Sequence, residues 1–209
     1  MGVLISGSSN VGKTTFATRL AQQLGCNVIS TDSIARHPGR PWPDVRPPVA
    51  EYYSRLSHET IYWFLKVHHE NMWPSIRQRI DAERRVQMPF VFEGSALRPE
   101  YIAPLISGEL LGVFLYADND SLRERMRSEA KYNHSDETRR SIIDKFIDRS
   151  LRDNSEMHAA ARKHGVRVVD TSDDLAVATL FDEFVQRTLL LASRKSYRAC
   201  QKPSQDSAP

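Results

Sequence analysis

The sequence of 209 residues has few cysteines, little net charge and no long hydrophobic run. Its two cysteines, Cys26 and Cys200, lie far apart without metal-ligand spacing, which excludes a disulfide framework and indicates a reducing, cytoplasmic location. The formal net charge of +3 is too small to indicate nucleic-acid binding, so nucleic acid is not an expected partner. No apolar stretch approaches the roughly 20 residues that span a bilayer, and we expect no membrane association.

Short apolar runs alternate with helical stretches along the chain, a pattern that predicts a parallel sheet with helices on both faces. The predicted strands cover residues 3–6, 27–31, 89–93, 110–117 and 166–169. Helices are predicted over 14–24, where Gly25 suits the C-terminal cap, and over about 174–192. We therefore expect one α/β domain over residues 1–192, followed by a polar tail over 193–209 that is expected to be disordered.

Nearly sixty residues separate the second and third predicted strands, far more than a simple crossover needs. Residues 37–48 hold five of the eleven prolines and predict an ordered loop or a mobile flap. Residues 57–85 predict a helix with a kink or a break at Pro74. Its predicted buried face consists of Ile61, Phe64, Leu65, His68 and Met72. We interpret the aromatic residues of this helix as packing residues and His68 as an interior histidine, so that 37–86 forms a flap and a helical insertion.

A phosphate-binding motif follows the first strand. Residues 7–14 read Gly-Ser-Ser-Asn-Val-Gly-Lys-Thr and match G-x-x-x-x-G-K-[ST] at every position, between an apolar strand and an amphipathic helix. Gly7 and Gly12 allow backbone N–H groups to point at phosphate oxygens, and the helix N-terminus adds a partial positive charge. Lys13 is expected to reach the β- and γ-phosphates and the Thr14 hydroxyl to hold Mg²⁺, so ATP and Mg²⁺ are the predicted cofactors. The predicted nucleotide-binding residues are Gly7, Ser8, Ser9, Asn10, Val11, Gly12, Lys13, Thr14 and Thr15, together with Arg125 from a later helix.

Several absences narrow the class of P-loop protein. The sequence has neither Asn-Lys-x-Asp nor Asp-x-x-Gly, so the usual guanine-reading and switch elements of GTPases are missing, and it is too short for a typical hexameric ATPase module. We therefore expect the compact arrangement of small kinases, in which a helical lid closes over the phosphates. The predicted fold is a three-layer P-loop NTPase fold with a five-stranded parallel sheet in the order 2-3-1-4-5. Loops after the second and third strands would hold the acceptor, because ligands bind at the carboxyl ends of such strands.

Two carboxylates stand at those strand ends. Asp32 follows the second strand and could accept the proton of the attacking hydroxyl or orient that hydroxyl; the alternative is an N-cap for a short helix over 33–36. Glu93 ends the third strand, where it could order Mg²⁺ through water or hydrogen-bond the acceptor. The alternative for Glu93 is a structural acid paired with a nearby arginine, since a buried acid is costly without a cation.

Arginines border the predicted acceptor site. Arg36, Arg40 and Arg46 lie in the proline-rich segment, and Arg98 follows the third strand. Arginines in such places favour a substrate that bears a carboxylate or a phosphate. Surface solubility explains the first three equally well, and Arg98 could equally be an ordinary surface arginine.

Residues 119–152 are predicted to form the lid. The basic residues of this region are Arg123, Arg125, Arg127, Lys145, Arg149 and Arg152. The last three recur at i, i+4 and i+7, so they form one stripe of a helix. Guanidinium groups delivered by a closing lid stabilise the charge of the transferring phosphoryl group, and we assign this catalytic role to Arg149. The alternative is a solvated helix face with Asp144 and Asp148 as the partners of the stripe.

Three segments resemble 2-phosphoglycerate kinase-like P-loop proteins, a group similar to the nucleoside-monophosphate kinases. They are 91–99 (Val-Phe-Glu-Gly-Ser-Ala-Leu-Arg-Pro), 145–149 (Lys-Phe-Ile-Asp-Arg) and 161–166 (Ala-Arg-Lys-His-Gly-Val). In that group a Glu-Gly pair ends the third strand, and a late helix runs into a His-Gly-Val turn before the last strand. The resemblance implies ATP-dependent phosphorylation of an acid metabolite. It places Lys13, Thr14, Glu93 and the region of Arg149 at matching positions.

The leading hypothesis from the sequence is an ATP- and Mg²⁺-dependent kinase that phosphorylates a hydroxyl of a small anionic metabolite. Lys13, Asp32, Glu93 and Arg149 are its predicted catalytic residues, and Thr14 and Glu93 are the predicted metal-binding ones. Three alternatives stay open: a toxin-type kinase acting on a nucleotide sugar, a polynucleotide 5′-end kinase, and a regulatory module that binds ATP without transferring phosphate. The oligomeric state is not predicted.

Overall fold

A central parallel sheet organises the chain. The computed structural model describes residues 1–86 and 88–200, with side chains as far as residue 191. The strands are β1 (Gly2–Ser6), β2 (Val28–Ser30), β3 (Phe90–Gly94), β4 (Leu110–Tyr116) and β5 (Val168–Asp170). All neighbouring strands are parallel and their order is β2-β3-β1-β4-β5, which confirms the predicted α/β fold and strand order.

Seven α-helices surround the sheet in the described part of the chain. They are α1 (Lys13–Leu24), α2 (Pro47–Arg55), α3 (His58–Val86), α4 (Pro99–Ile102), α5 (Asn119–Glu129), α6 (Glu137–Lys163) and α7 (Asp174–Cys200). Short 3-10 turns lie at Thr31–Ser33, Ala103–Leu105 and Tyr132–His134. The predicted insertion between β2 and β3 is present as a proline-rich loop followed by α2 and α3. The predicted lid region corresponds to α5, the turn Tyr132–His134 and the first part of α6.

Successive side chains of a strand point to opposite faces of the sheet, and here they pack into two separate hydrophobic cores. Val3 and Ile5 of β1 pack with α1, α6 and α7 on one face of the sheet, where Phe16 and Phe146 are buried. Leu4 faces the other side and packs with residues of α3 and β3, including Ile76. Both sheet faces are therefore covered, and the loops at the strand ends are left to form a site.

The structure corrects two predictions about helices. The helix α3 continues through Pro74 from His58 to Val86 without a break. The final helix does not end near residue 192, because α7 extends to Cys200. Residues 201–209 of the predicted disordered tail lie outside the described residues. No helix in the described part of the chain combines the length and the apolar character that crossing a bilayer requires.

Candidate functional site

A cavity of about 430 Å³ opens at the carboxyl ends of β1, β2 and β3. The N-terminus of α1, the proline-rich loop, α3 and α6 complete its lining. Strand register explains the convergence, because Glu93 of β3 pairs with Ser30 of β2 on one side and with Ile5 of β1 on the other. The P-loop and both predicted carboxylates therefore reach the same cavity, as expected for ligand sites in open α/β sheets.

The phosphate loop has the conformation that its motif predicts. Gly12 has a φ of 91°, a left-handed conformation that favours glycine, and it accepts the first helical hydrogen bond from Phe16 N at 3.1 Å. Lys13 Nζ donates to Ser8 O at 2.6 Å, which holds the ammonium group over the loop. Burial lowers the pKa of Lys13, while the carboxylates of Glu93 and Asp32 oppose that shift. The ammonium group thus lies over the loop and on the lining of the cavity that the two acids share.

The predicted nucleotide-binding residues divide into two groups. Those that line the cavity are Ser9, Asn10, Gly12, Lys13, Thr14 and Thr15. Gly7, Ser8 and Val11 lie behind them: the Val11 side chain is fully buried, and Ser8 Oγ donates to Ser150 O at 3.3 Å. The side chains of Ser8 and Val11 therefore fix the loop against the core and α6.

Asp32 lies in the 3-10 turn Thr31–Ser33, and its carboxylate faces the cavity with 65% of the side chain exposed. The alternative role as a helix N-cap is wrong, because Ser30 is the cap and accepts the hydrogen bond from Asp32 N. Asp32 Oδ2 lies 3.7 Å from His37 Nε2. The contact with His37 lowers the pKa of Asp32, and the charge of Lys13 acts in the same direction against partial desolvation. Asp32 is thus ionised at neutral pH.

Glu93 is buried at the end of β3, with 4% of its surface exposed, and it lines the cavity. It forms no salt bridge with any residue whose side chain is described, so the alternative of a structural acid paired with an arginine is not observed. The next residue, Gly94, has a φ of 154° and packs against Thr31. A Cβ at position 94 would lie 1.8 Å from Thr31 Oγ1, so glycine is required for β3 to approach the turn that carries Asp32.

The donor atoms around the cavity suit Mg²⁺ held together with a triphosphate. The Thr14 hydroxyl and the carboxylates of Glu93 and Asp32 all lie on the lining, and oxygen ligands of this kind are what Mg²⁺ prefers. In the part of the chain with described side chains, no three His, Cys, Asp or Glu residues form a metal-binding group.

Three of the predicted arginines line the cavity: Arg36, Arg40 and Arg149. Arg149 Nη1 donates to the Tyr53 hydroxyl at 3.2 Å, and its guanidinium lies 4.4 Å from the centre of the Phe146 ring. Neither Arg36 nor Arg149 has a carboxylate partner among the described side chains, so both positive charges are free to meet an anion. Arg40 instead donates to Glu129 at 2.5 Å.

Three other predicted residues lie away from the cavity. Arg98 is 1% exposed and binds Asp153 at 2.8 Å and Glu100 at 2.7 Å, so the structure makes it neither a substrate ligand nor a surface arginine. Arg46 does not line the cavity and donates to Pro38 O at 3.3 Å. Arg125 lies near the end of β5, with Nη1 3.5 Å from Thr171 Oγ1, outside the cavity lining.

The basic stripe of α6 does not act as one surface. Lys145 donates to the carbonyls of Ser54 and Leu56 at the end of α2, and Arg152 pairs with Glu59 at 2.6 Å. Arg149 is the member of the stripe that lines the cavity. The partners proposed for a solvated face are also different: Asp144 and Asp148 pair with Arg127 and with His58 and Arg123, respectively.

Sequence reasoning missed several residues of the cavity. Glu129 at the end of α5 accepts from Asn10 Nδ2 and from Arg40, and so joins the P-loop to the proline-rich loop. On α3 the buried histidine is His69, at 2% exposed, whereas His68 is half-buried on the cavity lining. Phe64, predicted as core, is 44% exposed. The exchange of His68 and His69 is a shift of one position around the helix, which a weak helical period does not resolve.

The chain was compared with known proteins. The chain is 26% identical over 198 residues to a 2-phosphoglycerate kinase of Thermococcus kodakarensis, a match that covers 88% of this chain and 66% of that protein. It therefore spans less than two thirds of the relative. The match confirms the resemblance seen in the sequence. No protein-family model matches the chain.

A solved structure shows the same fold. A sugar kinase from a Janibacter species superposes with a TM-score of 0.50 at 17% identity, covering 90% of this chain and 92% of that one. A gluconokinase from Sinorhizobium meliloti gives a TM-score of 0.45 at 19% identity, covering 94% and 96% of the two chains. At these identities the first comparison establishes the three-layer P-loop fold and nothing finer.

Proposed function

We propose that this protein is an ATP- and Mg²⁺-dependent kinase that transfers the γ-phosphate to a hydroxyl of a small anionic metabolite. The observation that carries the proposal is one cavity that brings together the P-loop Lys13, the carboxylates of Asp32 and Glu93, and the unpaired Arg36 and Arg149. The similarity to a 2-phosphoglycerate kinase supports an acid as acceptor, and a phosphoglycerate-like acid is the first to test.

The P-loop residues bind and orient the nucleotide. The loop amides and the N-terminus of α1 hold the phosphates, and Lys13 supplies a compact positive charge next to them. Thr14 and the acid oxygens would hold Mg²⁺, which would supply positive charge next to the phosphates. Arg149 adds a guanidinium from α6, where it stabilises the charge that spreads over the equatorial oxygens during transfer.

Asp32 serves the acceptor hydroxyl. The hydroxyl oxygen forms a bond to the γ-phosphorus as the bond between that phosphorus and the ADP oxygen breaks. Because its pKa is lowered, Asp32 is a carboxylate that accepts a hydrogen bond from the hydroxyl and orients it. The hydroxyl proton passes to Asp32 late in the transfer, when the acceptor oxygen has become acidic, or to water. Glu93, buried on the lining of the same cavity as Lys13, would hold the metal, directly or through water.

Three variants test these roles. Lys13→Ala removes the charge beside the phosphates, and we expect ATP affinity to fall roughly 10- to 100-fold. Asp32→Asn and Glu93→Gln keep the shape of the cavity, so ATP binding should persist while the transfer rate falls about 10²- to 10⁴-fold. The exposed Lys163→Ala and Asp182→Asn are the matched controls and should behave as the parent protein.

The measurements are calorimetric titration of Mg·ATP and phosphate transfer from labelled ATP across a panel of hydroxy acids. Parent-like ATP affinity in Lys13→Ala would overturn the nucleotide site. Parent-like transfer in Asp32→Asn would overturn the role of that residue. Tight ATP binding without transfer to any acceptor would favour a regulatory ATP-binding module instead of a kinase.

A further inference from the structure

The part of the cavity lining that comes from α2, α3 and α6 is largely apolar. Its apolar side chains are Tyr52, Phe64, Leu65, Met72 and Phe146, and its polar ones are His68, His69 and Arg149. The other polar and charged groups of the cavity come from the P-loop, the strand ends, the proline-rich loop and Glu129 of α5. The same cavity thus offers a charged side for phosphates and acids and an apolar side that a triphosphate tail does not cover.

One aromatic side chain of this apolar side faces solvent. Phe64 is 44% exposed although it lines the cavity, and its ring centre lies 6.3 Å from that of Tyr52 at a tilt of 58°. Large aromatic side chains usually bury their ring surface. A pair of aromatic rings that is exposed inside a cavity is therefore suited to contact a flat apolar group of a ligand. The neighbouring Trp63 is 57% exposed but does not line the cavity.

Unsatisfied polar groups lie beside this apolar surface. Arg149 Nε is buried without a hydrogen-bond partner, and so is Nδ1 of His69, which is 2% exposed and lines the cavity. Arg36 has no ionic partner among the described side chains. Buried polar atoms are normally hydrogen-bonded, so these groups are suited to contact an anionic ligand.

A three-carbon acid uses little of this lining. Such an acid can satisfy the cations, but it has no apolar body to cover the five side chains of the apolar side.

We infer that the acceptor is a hydroxy acid with a flat apolar body, larger than a three-carbon acid. Its carboxylate or phosphate meets Arg36 or Arg149, its hydroxyl faces Asp32, and its apolar body packs against Phe64 and Tyr52. This inference rests on the proposed kinase function of the same cavity and names the substrate class. The hydroxyl oxygen gains the bond to the γ-phosphorus, ADP leaves with its bridging oxygen, and the proton goes to Asp32 or water.

Lactate and 3-phenyllactate form a matched pair of probes, because they share the hydroxyl and the carboxylate and differ by one phenyl ring. We expect calorimetry on the full chain saturated with Mg·ADP to show binding of 3-phenyllactate at least about tenfold tighter than binding of lactate. Phe64→Ala should remove most of this preference. Val86→Ala, on the same helix but off the lining and exposed, should retain it.

Equal affinity for the two acids, no binding of 3-phenyllactate, or an unchanged preference in Phe64→Ala would each overturn the inference. Labelled-ATP transfer to lactate, 3-phenyllactate, glycerate and 2-phosphoglycerate separates it from the kinase proposal. If the three-carbon acids are phosphorylated and 3-phenyllactate is phosphorylated no faster than lactate, the proposed acceptor class is wrong and the kinase activity is retained. If 3-phenyllactate binds as expected but no acid is phosphorylated, the kinase proposal fails while the apolar subsite is retained.

Discussion

His69 illustrates how burial sets the chemistry of a single side chain in this cavity. Its Nε2 lies 3.4 Å from Ser95 Oγ at the end of β3, and its Nδ1 has no partner. Burial lowers the pKa of His69 well below its usual value of 6.5, and the nearby cations Arg98 and Arg149 reinforce the shift. The imidazole is therefore neutral at neutral pH, and a proton on it would be costly.

This shift predicts how stability depends on pH. Below pH 6.5 the unfolded chain binds a proton at His69 that the folded chain excludes, so the free energy of unfolding falls as the pH falls. The slope from this group is at most about 1.4 kcal/mol per pH unit. We expect His69→Gln to flatten the curve between pH 6.5 and 5, whereas the exposed His134→Gln should not. Urea unfolding at several pH values measures the slope, and identical slopes in parent and His69→Gln would contradict the prediction.

Residues with local signals were predictable, and residues with distant partners were not. Lys13 and Thr14 belong to a continuous motif whose spacing carries its own geometry. Arg98 was misjudged because its partner Asp153 is 55 positions away in the chain. Glu129 was missed because its two partners, Asn10 and Arg40, are 119 and 89 positions away. A single sequence gives no sign of such pairs before the chain is folded.

At the level of elements, α6 connects the loops that form the site. Ser150 accepts from the P-loop Ser8, Asp153 binds Arg98 after β3, and Asn154 Nδ2 donates to Ala117 O after β4 at 2.9 Å. All three contacts are buried. Burial raises the pKa of Asp153 while Arg98 opposes the shift, so the charged form of this carboxylate depends on its contact with Arg98. The helix that carries Arg149 is therefore fixed to three strand ends.

Removing one partner of the Arg98–Asp153 pair should be costly. In Asp153→Ala the buried Arg98 guanidinium would lose its buried ionic partner and keep only the partly exposed Glu100, and we expect a loss of about 3–5 kcal/mol in the free energy of unfolding. Asp148→Ala on the same helix removes an exposed carboxylate and should cost no more than about 1 kcal/mol. Urea denaturation compares the two variants. A similar small loss in both would show that Arg98 finds another partner or water.

Element types followed from periodicity, whereas their ends and orientations did not. The strand β4 and the helix α1 have strong apolar patterns and lie where the sequence placed them. The helix α3 runs through Pro74 because its buried residues on both sides, Met72 and Ile76, pack into one core. That tertiary packing outweighs the local preference of proline to end a helix.

For the whole molecule, the cavity draws on distant parts of the chain, so ligand binding should stabilise the fold globally. Mg·ATP at 100 times its Kd would add about 2.7 kcal/mol. For a domain of this size we expect a rise in Tm of roughly 5–10 °C. Thermal unfolding with and without Mg²⁺ measures the shift, and Lys13→Ala is the matched variant that should lose most of it. No shift in the parent protein at saturating Mg·ATP would contradict this expectation.

The strand order of the molecule was predictable because a P-loop after β1 and parallel crossovers leave few arrangements. The shape of the cavity next to α2, α3 and α6 was not predictable. It depends on how far α2, α3 and α6 approach one another, and therefore on side-chain packing between segments such as Tyr53 and Phe146, whose ring centres lie 6.1 Å apart. Packing of this kind has no counterpart in a one-dimensional pattern.

The contact between Gly94 and Thr31 limits which substitutions this protein can accept near the cavity. With no room for an added methyl group at position 94, neither residue can become larger unless the other becomes smaller. Their chain neighbours are Glu93 and Asp32, so a change at either position displaces an acid of the cavity. A directed-evolution library for new acceptors should therefore hold Thr31 and Gly94 constant and randomise the exposed or half-buried side chains of α3 that line the cavity.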